Sequence, residues 1–375
     1  MDRPLILFGA FDRHNFGDLL LAQLAAAQWS GRELHFAGLA NRDLRRWDGL
    51  AVRALPELLA ELAPRRPDLL HVGGEILDCS AWQAAVMLLA PYVASPARLP
   101  GLRRSAFAGV GGVGLAQAPE GLRAEVLAAL RAASFVSVRD HITQATLAQA
   151  GIAARLLPDP ALRVAELFGR QIRQRADMGE IAAARAAFPS GYLALQLGPE
   201  LADDACLDQL AAQLQPLLAA TGIGLVLFCA GLAPWHDDPA TLRRLAARLP
   251  TPSLRIMQSG RLWDICALIA GSRACIASSL HARIVATAFA LPRLSLAAPG
   301  GSGQARKIAA YLDTWELPGL PGCVLPADLG RALWQALAAD PGALRRQAKS
   351  LDATCRAGLA GLSRTEGFSA PDQGS

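Results

Sequence analysis

Lysine is nearly missing from this 375-residue chain: Lys307 and Lys349 are the only two, so the net charge of +5 rests on arginine. The arginines are dispersed rather than gathered in a block, which argues against a nucleic-acid partner. Such a surplus suits anionic small substrates or loose peripheral contact with an acidic membrane face, and a solvated arginine-rich surface accounts for it equally well. Cysteine is also sparse. The seven cysteines (79, 206, 229, 266, 275, 323 and 355) are scattered, odd in number and never spaced Cys-x-x-Cys. That pattern argues against a disulfide framework and against a structural zinc site, and it fits a reducing cytoplasm.

Long apolar runs are missing too. Hydrophobic residues make up 52% of the chain and charged residues 18%, yet no run reaches bilayer-spanning length. The longest, Ala84–Val93 and Gly222–Leu232, match a core helix or a buried strand, so we read a soluble protein. At the start, Met1–Pro4 leads directly into Leu5–Gly9, with too short an apolar region and no small-residue cleavage site for a secretory signal.

What the chain does have is an alternating rhythm. Strand candidates at Leu5–Gly9, Leu69–Gly73, Ala106–Val110 and Phe135–Val138 are separated by helical patterns such as Leu19–Trp29 and Arg123–Ala132, the βαβ alternation of a parallel sheet. It restarts at Tyr192–Leu197, Gly224–Cys229, Ser253–Met257, Ala274–Ala277 and Arg293–Leu296. The expectation is an α/β protein of two Rossmann-like doubly wound domains facing across a cleft, with ligands at the carboxyl ends of the strands. Residues 1–162 form the first domain, 163–188 a linker helix, 189–326 the second domain, 327–362 a helical region and 363–375 a frayed tail.

The most telling stretch is Ile276–Ile284, where a strand-like run passes through Ser278, Ser279 and His281 into a helix marked by Ile284, Ala288 and Leu291. Unpaired backbone N–H groups in a helix's first turn attract anions, so a phosphate or carboxylate fits there. The helix field favours a neutral imidazole and hence a general base, while a bound phosphate favours imidazolium; acid and base roles stay open. Arg283 lies two residues on, and Lys307 follows the flexible loop Gly300–Gly303, within reach of a phosphate or on a solvated helix face.

Five other motifs follow the strand candidates or the domain junction. Asn15-Phe16-Gly17-Asp18 follows the first strand, with Asp18 read as the helix cap, Gly17 as a point of close backbone approach and Asn15 without an evident structural task. Gly109–Gly114 spells G-x-G-x-x-G, but Leu115–Pro119 intervene before any helix, which weakens a nicotinamide-dinucleotide reading. Ser137-Val138-Arg139-Asp140 sets a guanidinium at a strand end, either to grip a planar anion or to pair with Asp140. Asp159, flanked by two prolines, is a hinge cap or a cleft carboxylate. His236-Asp237-Asp238 lacks the further ligands a metal needs and reads as capping; no metal is expected.

Asn15–Asp18, His71–Glu75, Gly109–Gly114, Ser137–Asp140, Asp159–Ala161, Ser278–His281 and Lys307 occur in an order that resembles the polysaccharide pyruvyl transferase family over roughly residues 5 to 330. The resemblance implies a glycosyltransferase-B-like fold and no cofactor beyond the substrate. It implies transfer of a pyruvyl group from phosphoenolpyruvate to two hydroxyls of a sugar, in a cell-surface glycan or its lipid-linked precursor, with release of phosphate. It further implies that Arg139 binds the donor anion and that His281 transfers a proton or contacts phosphate. Ser278, Ser279, Arg283 and Lys307 assist with phosphate, and Asn15, Gly17, Asp18, Gly74 and Glu75 shape the opposite wall on the acceptor side. Two departures stand out. Ser279 occupies the place of an arginine found in some relatives, and Glu75 replaces the third glycine of a Gly-Gly-Gly loop, where its charge either orients a sugar hydroxyl or weakens donor binding. A nucleotide-sugar glycosyltransferase and a non-catalytic glycan-binding relative are the competing readings.

Overall fold

The computed structural model describes residues 3–78, 99, 101–234, 236–249 and 252–364; the apolar run at 84–93, Cys79 and the tail beyond 364 lie outside them. Two compact units divide the chain. The first holds the residues up to His14, Asp18–Arg163 and the chain from Leu351 on; the second holds Asn15–Gly17 and Val164–Ser350.

In the first unit the order is β1 (Leu5–Phe8), α1 (Phe16–Gln28), β2 (Leu34–Gly38), β3 (Arg42–Asp43), β4 (Ala51–Ala54), α2 (Leu55–Leu62), β5 (Asp68–Val72), β6 (Arg104–Val110), α3 (Glu120–Arg131), β7 (Phe135–Val138), α4 (His141–Gln149) and β8 (Arg155–Leu156). The sheet runs β3-β4-β2-β1-β5-β6-β7-β8, parallel except for the β3–β4 pair. Its central strand β1 is an unbroken apolar run, Leu-Ile-Leu-Phe, with all four residues buried, as a strand of a sheet covered on both faces requires. Asp140 caps α4, its carboxylate accepting from Thr143 N at 2.7 Å, so the capping half of its predicted pairing holds.

The second unit contains α5 (Val164–Arg175), α6 (Gly179–Ala187), β9 (Tyr192–Gln196), α7 (Asp204–Thr221), β10 (Gly224–Leu227), α8 (Pro239–Arg248), β11 (Leu254–Ile256), α9 (Leu262–Ala270), β12 (Ala274–Ala277), α10 (Leu280–Ala288), β13 (Arg293–Leu296), α11 (Gly303–Trp315), β14 (Cys323–Val324), α12 (Leu329–Leu337) and α13 (Pro341–Arg364). Its sheet, β11-β10-β9-β12-β13-β14, is parallel throughout. The chain leaves β9 for β10 on one side and returns to β12 on the other. The C-terminal ends of β9 and β12 therefore flank a topological switch point, the place where open α/β sheets bind ligands.

Two segment readings need correction. The supposed single linker helix at 163–188 is two helices, broken where Met178 is extended and Gly179 takes a φ of +54°, a conformation that favours glycine. Both helices bury an apolar face within the second unit through Ile172, Ile181 and Ala184. The region 327–362 is likewise not separate. From Leu351 on, α13 joins the first unit, burying Leu351, Cys355, Leu359 and Leu362 at helical spacing while Asp352 accepts from Arg163 Nε at 3.0 Å. Among the described residues no helix is long and apolar enough to cross a membrane.

Candidate functional site

At the switch point of the second sheet, Gln196 ends β9 in register with Ala277 of β12, and Ser278 and Ser279 follow directly. Gln196 Oε1 accepts from Ser279 N at 2.9 Å, and Ser278 Oγ accepts from Gly198 N at 2.7 Å. Ser279 is the N-cap of α10, its Oγ accepting from Ala282 N. Gln304, in the first turn of α11, donates to Ser278 O at 2.8 Å. Two helix amino ends thus close on one serine, each carrying partial positive charge from its unpaired N–H groups.

His281 lies in the first turn of α10, against a segment from far earlier in the sequence. Asn15 forms an antiparallel bridge with Gly231, and Phe16 N donates to Ala230 O at 2.8 Å. This brings the Phe16 ring edge-on to the imidazole, with 6.5 Å between centroids. Gly17 leaves room for the ring, since a Cβ there would overlap His281 Nδ1 and Cγ. Asn15 has a structural task after all. Its Oδ1 accepts from Gly17 N at 3.0 Å at the start of α1, the capping assigned above to Asp18, which instead receives Arg13 Nε at 3.3 Å. The structure therefore assembles Asn15, Gly17, Ser278, Ser279 and His281 in the second unit.

The first unit gathers the remaining motifs around an ion-pair cluster. Arg139 is buried; its Nη1 donates to Asp159 at 2.7 Å and its Nη2 to Glu75 at 2.5 Å. Burial works against its charge, but the carboxylates of Glu75 and Asp159 outweigh that and hold it protonated. Asp140 is pushed up by burial and then by the Glu75 charge. The guanidinium's two ends are engaged by carboxylates in a site of surplus negative charge, which disfavours a further anion. Arg139 thus sits in a buried ion-pair cluster, the arrangement of a structural cation. Glu75 also accepts from Val113 N at 2.8 Å, and so ties the glycine loop to Arg139.

The loop's glycines follow from this packing. A Cβ on Gly111 would overlap Glu75 and Arg139, and Gly109 combines a φ of +61° with close contact to Pro160. After Gly114 comes a short 3-10 turn, with α3 opening only at Glu120, so the loop lacks the helix entry of a dinucleotide site. Gly74 (φ +72°) accepts through its carbonyl from Gly111 N at 2.7 Å and lies near Asp18. Asp18, Gly74 and Glu75 thus belong to the first unit.

Arg283 is likewise held by internal partners. Fully buried, it donates to Glu316 at 2.8 Å, to Ser295 Oγ at 3.2 Å and to Pro321 O at 2.8 Å, and Arg293 shares the same carboxylate. Burial alone would raise the Glu316 pKa; the two guanidiniums bring it down to about 2. Lys307 lies one turn into α11, partly exposed. Asp238 caps α8 through Ala240 N at 2.8 Å, as expected of its motif. Among the described residues no three His, Cys, Asp or Glu side chains stand close enough to hold a metal ion.

Sequence reasoning missed Gln196 and read Asp237 only as part of a capping motif. Asp237 receives Gln196 Nε2 at 2.9 Å and Ala230 N at 2.6 Å. Burial, helped by the Glu200 charge, pushes its carboxyl up to about 7 against these bonds. Gln196 is the one polar residue of the strand Tyr-Leu-Ala-Leu-Gln apart from its opening tyrosine, and that interruption at a strand end was its available signal.

No curated protein sequence matches the chain. Among solved structures, a candidate UDP-N-acetylglucosamine 2-epimerase from Listeria monocytogenes superposes with a TM-score of 0.62 at 12% identity, covering 100% of both chains. UDP-GlcNAc 2-epimerase from Neisseria meningitidis, bound to UDP-GlcNAc, gives 0.58 at 11% identity over 96% of this chain and 99% of that one. The enzyme from Methanocaldococcus jannaschii gives 0.57 at 12% identity over 90% and 92%. At such identity the likeness establishes the fold, two Rossmann-like domains of the glycosyltransferase-B kind. The sequence profile of polysaccharide pyruvyl transferase matches residues 89–298, more than half the chain and including β7, the glycine loop and the whole Ser278–His281 junction. The chain therefore belongs to the polysaccharide pyruvyl transferase family.

Proposed function

We propose that this protein transfers a pyruvyl group from phosphoenolpyruvate to two hydroxyls of a sugar, in a cell-surface glycan or its precursor. In the balanced reaction both hydroxyl oxygens bond to C2 of the donor and the C2–O bond to phosphate breaks. One hydroxyl proton ends on the methylene carbon, which becomes a methyl group, and the other leaves with phosphate. The chemistry asks for a group that moves protons beside a group that holds an anion.

The observation that carries this reading is the seat of His281: an imidazole in the first turn of α10, at the sheet's switch point, lodged against Gly17 and Phe16. His281 handles the protons, while Ser278, Ser279, Lys307 and the amino ends of α10 and α11 hold the donor's phosphate. With Arg139 and Arg283 committed to internal carboxylates, the donor's anionic groups fall to this second-unit set.

The test is incubation with phosphoenolpyruvate and candidate glycans, read by phosphate release and by the ketal mass increment. His281→Ala is expected to lower turnover by roughly 10²–10⁴-fold, the usual weight of acid–base catalysis, with its fold retained. Unchanged turnover in that variant would refute the role. A melting temperature raised by uridine or guanosine diphosphates and not by phosphoenolpyruvate would favour a nucleotide-sugar enzyme instead.

A further inference from the structure

We infer that Asp237 is the positioning residue of this site: its single carboxylate holds in place both backbone segments that flank His281. The inference rests on the reading of His281 as the reacting histidine.

One oxygen fixes the near wall. Asp237 Oδ2 accepts from Ala230 N at 2.6 Å, and Asp237 N donates to Gly231 O at 3.1 Å, so the Ala230–Gly231 loop is gripped from two directions. That loop carries the Phe16 bond and the Asn15 bridge, and through them places Gly17 and Phe16 beside the imidazole. The other oxygen fixes the helix. Asp237 Oδ1 accepts from Gln196 Nε2 at 2.9 Å. A side-chain amide offers donors at one end and an acceptor at the other. Anchoring the Gln196 NH2 on a carboxylate turns its carbonyl toward Ser279 N, the residue that caps the helix bearing His281.

Ala230 N and Gln196 Nε2, which make the two bonds above, and the nearby Gly231 N all present donors to this carboxylate, so only the ionised form satisfies them. A protonated carboxyl aims its O–H at another donor and loses one of the two bonds. The ionisable groups around it are Glu200, Asp238 and Cys229, with Arg243 acting on the same thiol and His236 packed against Gly231. Burial has brought its ionisation into the neutral range, where loss of the proton engages both walls at once.

The polarity of the Asp237–Gln196 pair can be inverted without changing its shape or total charge, and that provides the test. Asp237→Asn sets an NH2 against either Ala230 N or Gln196 Nε2. Gln196→Glu sets two carboxylates face to face. Combined, the new amide accepts from Ala230 N and donates to the new carboxylate, which still accepts from Ser279 N. Each single variant is expected to lower kcat of phosphoenolpyruvate-dependent phosphate release by tenfold or more with KM little changed, as misplacement of a reacting group does. The double variant should regain most of the loss, with a displaced acid limb in its pH profile. A double variant as impaired as Asp237→Asn would overturn the inference and put Asp237 on the substrate itself.

Amide hydrogen exchange reads the same claim without turnover. Phe16 and Ser279 should exchange faster in each single variant that folds, and recover together in the double, while Leu193 and Leu195 of β9 stay protected. Protection unchanged at Phe16 and Ser279 would overturn the inference. If the wild-type protein releases no phosphate from phosphoenolpyruvate, the proposed reaction falls while the exchange pattern still decides the positioning role.

Discussion

The strand ends of the two sheets make opposite use of polar residues. In the first unit, Arg139 is locked by Glu75 and Asp159 into a buried ion cluster whose members also pin the glycine loop. In the second, the corresponding edge is built from neutral dipoles, the Gln196 amide, two serine hydroxyls and two helix starts, with the buried carboxylate of Asp237 beside them. A cluster of full charges is costly to disturb and hard to reorganise around a ligand. A set of oriented dipoles with partial positive charge leaves an anion something to gain. The difference teaches that a charged residue at a strand end is not the better candidate for binding charge; what already neutralises it decides.

That contrast can be broken most forcefully at Arg139. Arg139→Ala leaves Glu75 and Asp159 buried without their shared cation and is expected to cost about 3–5 kcal/mol of stability, measured as a shift in the denaturant midpoint. Turnover per folded molecule should stay within a few-fold of wild type. If stability holds and turnover collapses, Arg139 binds donor and the structural assignment is wrong.

Gly17→Ala sharpens the other side. Its backbone is not in the left-handed region, and alanine is the better helix former by about 1 kcal/mol, so folding should be spared. The methyl group displaces the imidazole, and turnover should fall roughly 10²-fold, the scale of a 1 Å misplacement. Equal turnover would mean that the ring position is irrelevant. The smallest expected effect is at the cap: Ser279→Ala removes the bond to Ala282 N and should cost about 1 kcal/mol, seen in thermal unfolding. A change in phosphoenolpyruvate KM in that variant would show that the hydroxyl serves ligand as well as helix.

Much of the scaffold was legible because it rests on local pattern. The strands at Phe135–Val138, Ala274–Ala277 and Arg293–Leu296 coincide with their apolar runs, and the Ser278–His281 junction is a strand, a cap and a helix start within a few residues. By contrast β2 and β4 escaped notice, since Leu-His-Phe-Ala-Gly and Ala-Val-Arg-Ala lack a strong run. Roles were harder than places. Arg139 and Glu75 are 64 residues apart and Gln196 and Asp237 are 41 apart; no local spacing encodes such pairings, which exist only once the parallel sheets align their strand ends. Asn15 was misjudged for a related reason. Its cap bond is short-range, but the helix start was placed at Asp18, after Gly17 and not before it.

The grouping of Asn15–Gly17 with the second unit bears on any attempt to take the protein apart. A fragment beginning at Val164 would carry the serines, the histidine and the carboxylate yet lack Phe16 and Gly17, which lie against the imidazole, and Asn15, which caps their helix. Such a piece would have an intact sheet and an unfinished pocket. Complementing it with a short synthetic peptide spanning those positions would then be a direct gauge of how much the missing tripeptide contributes.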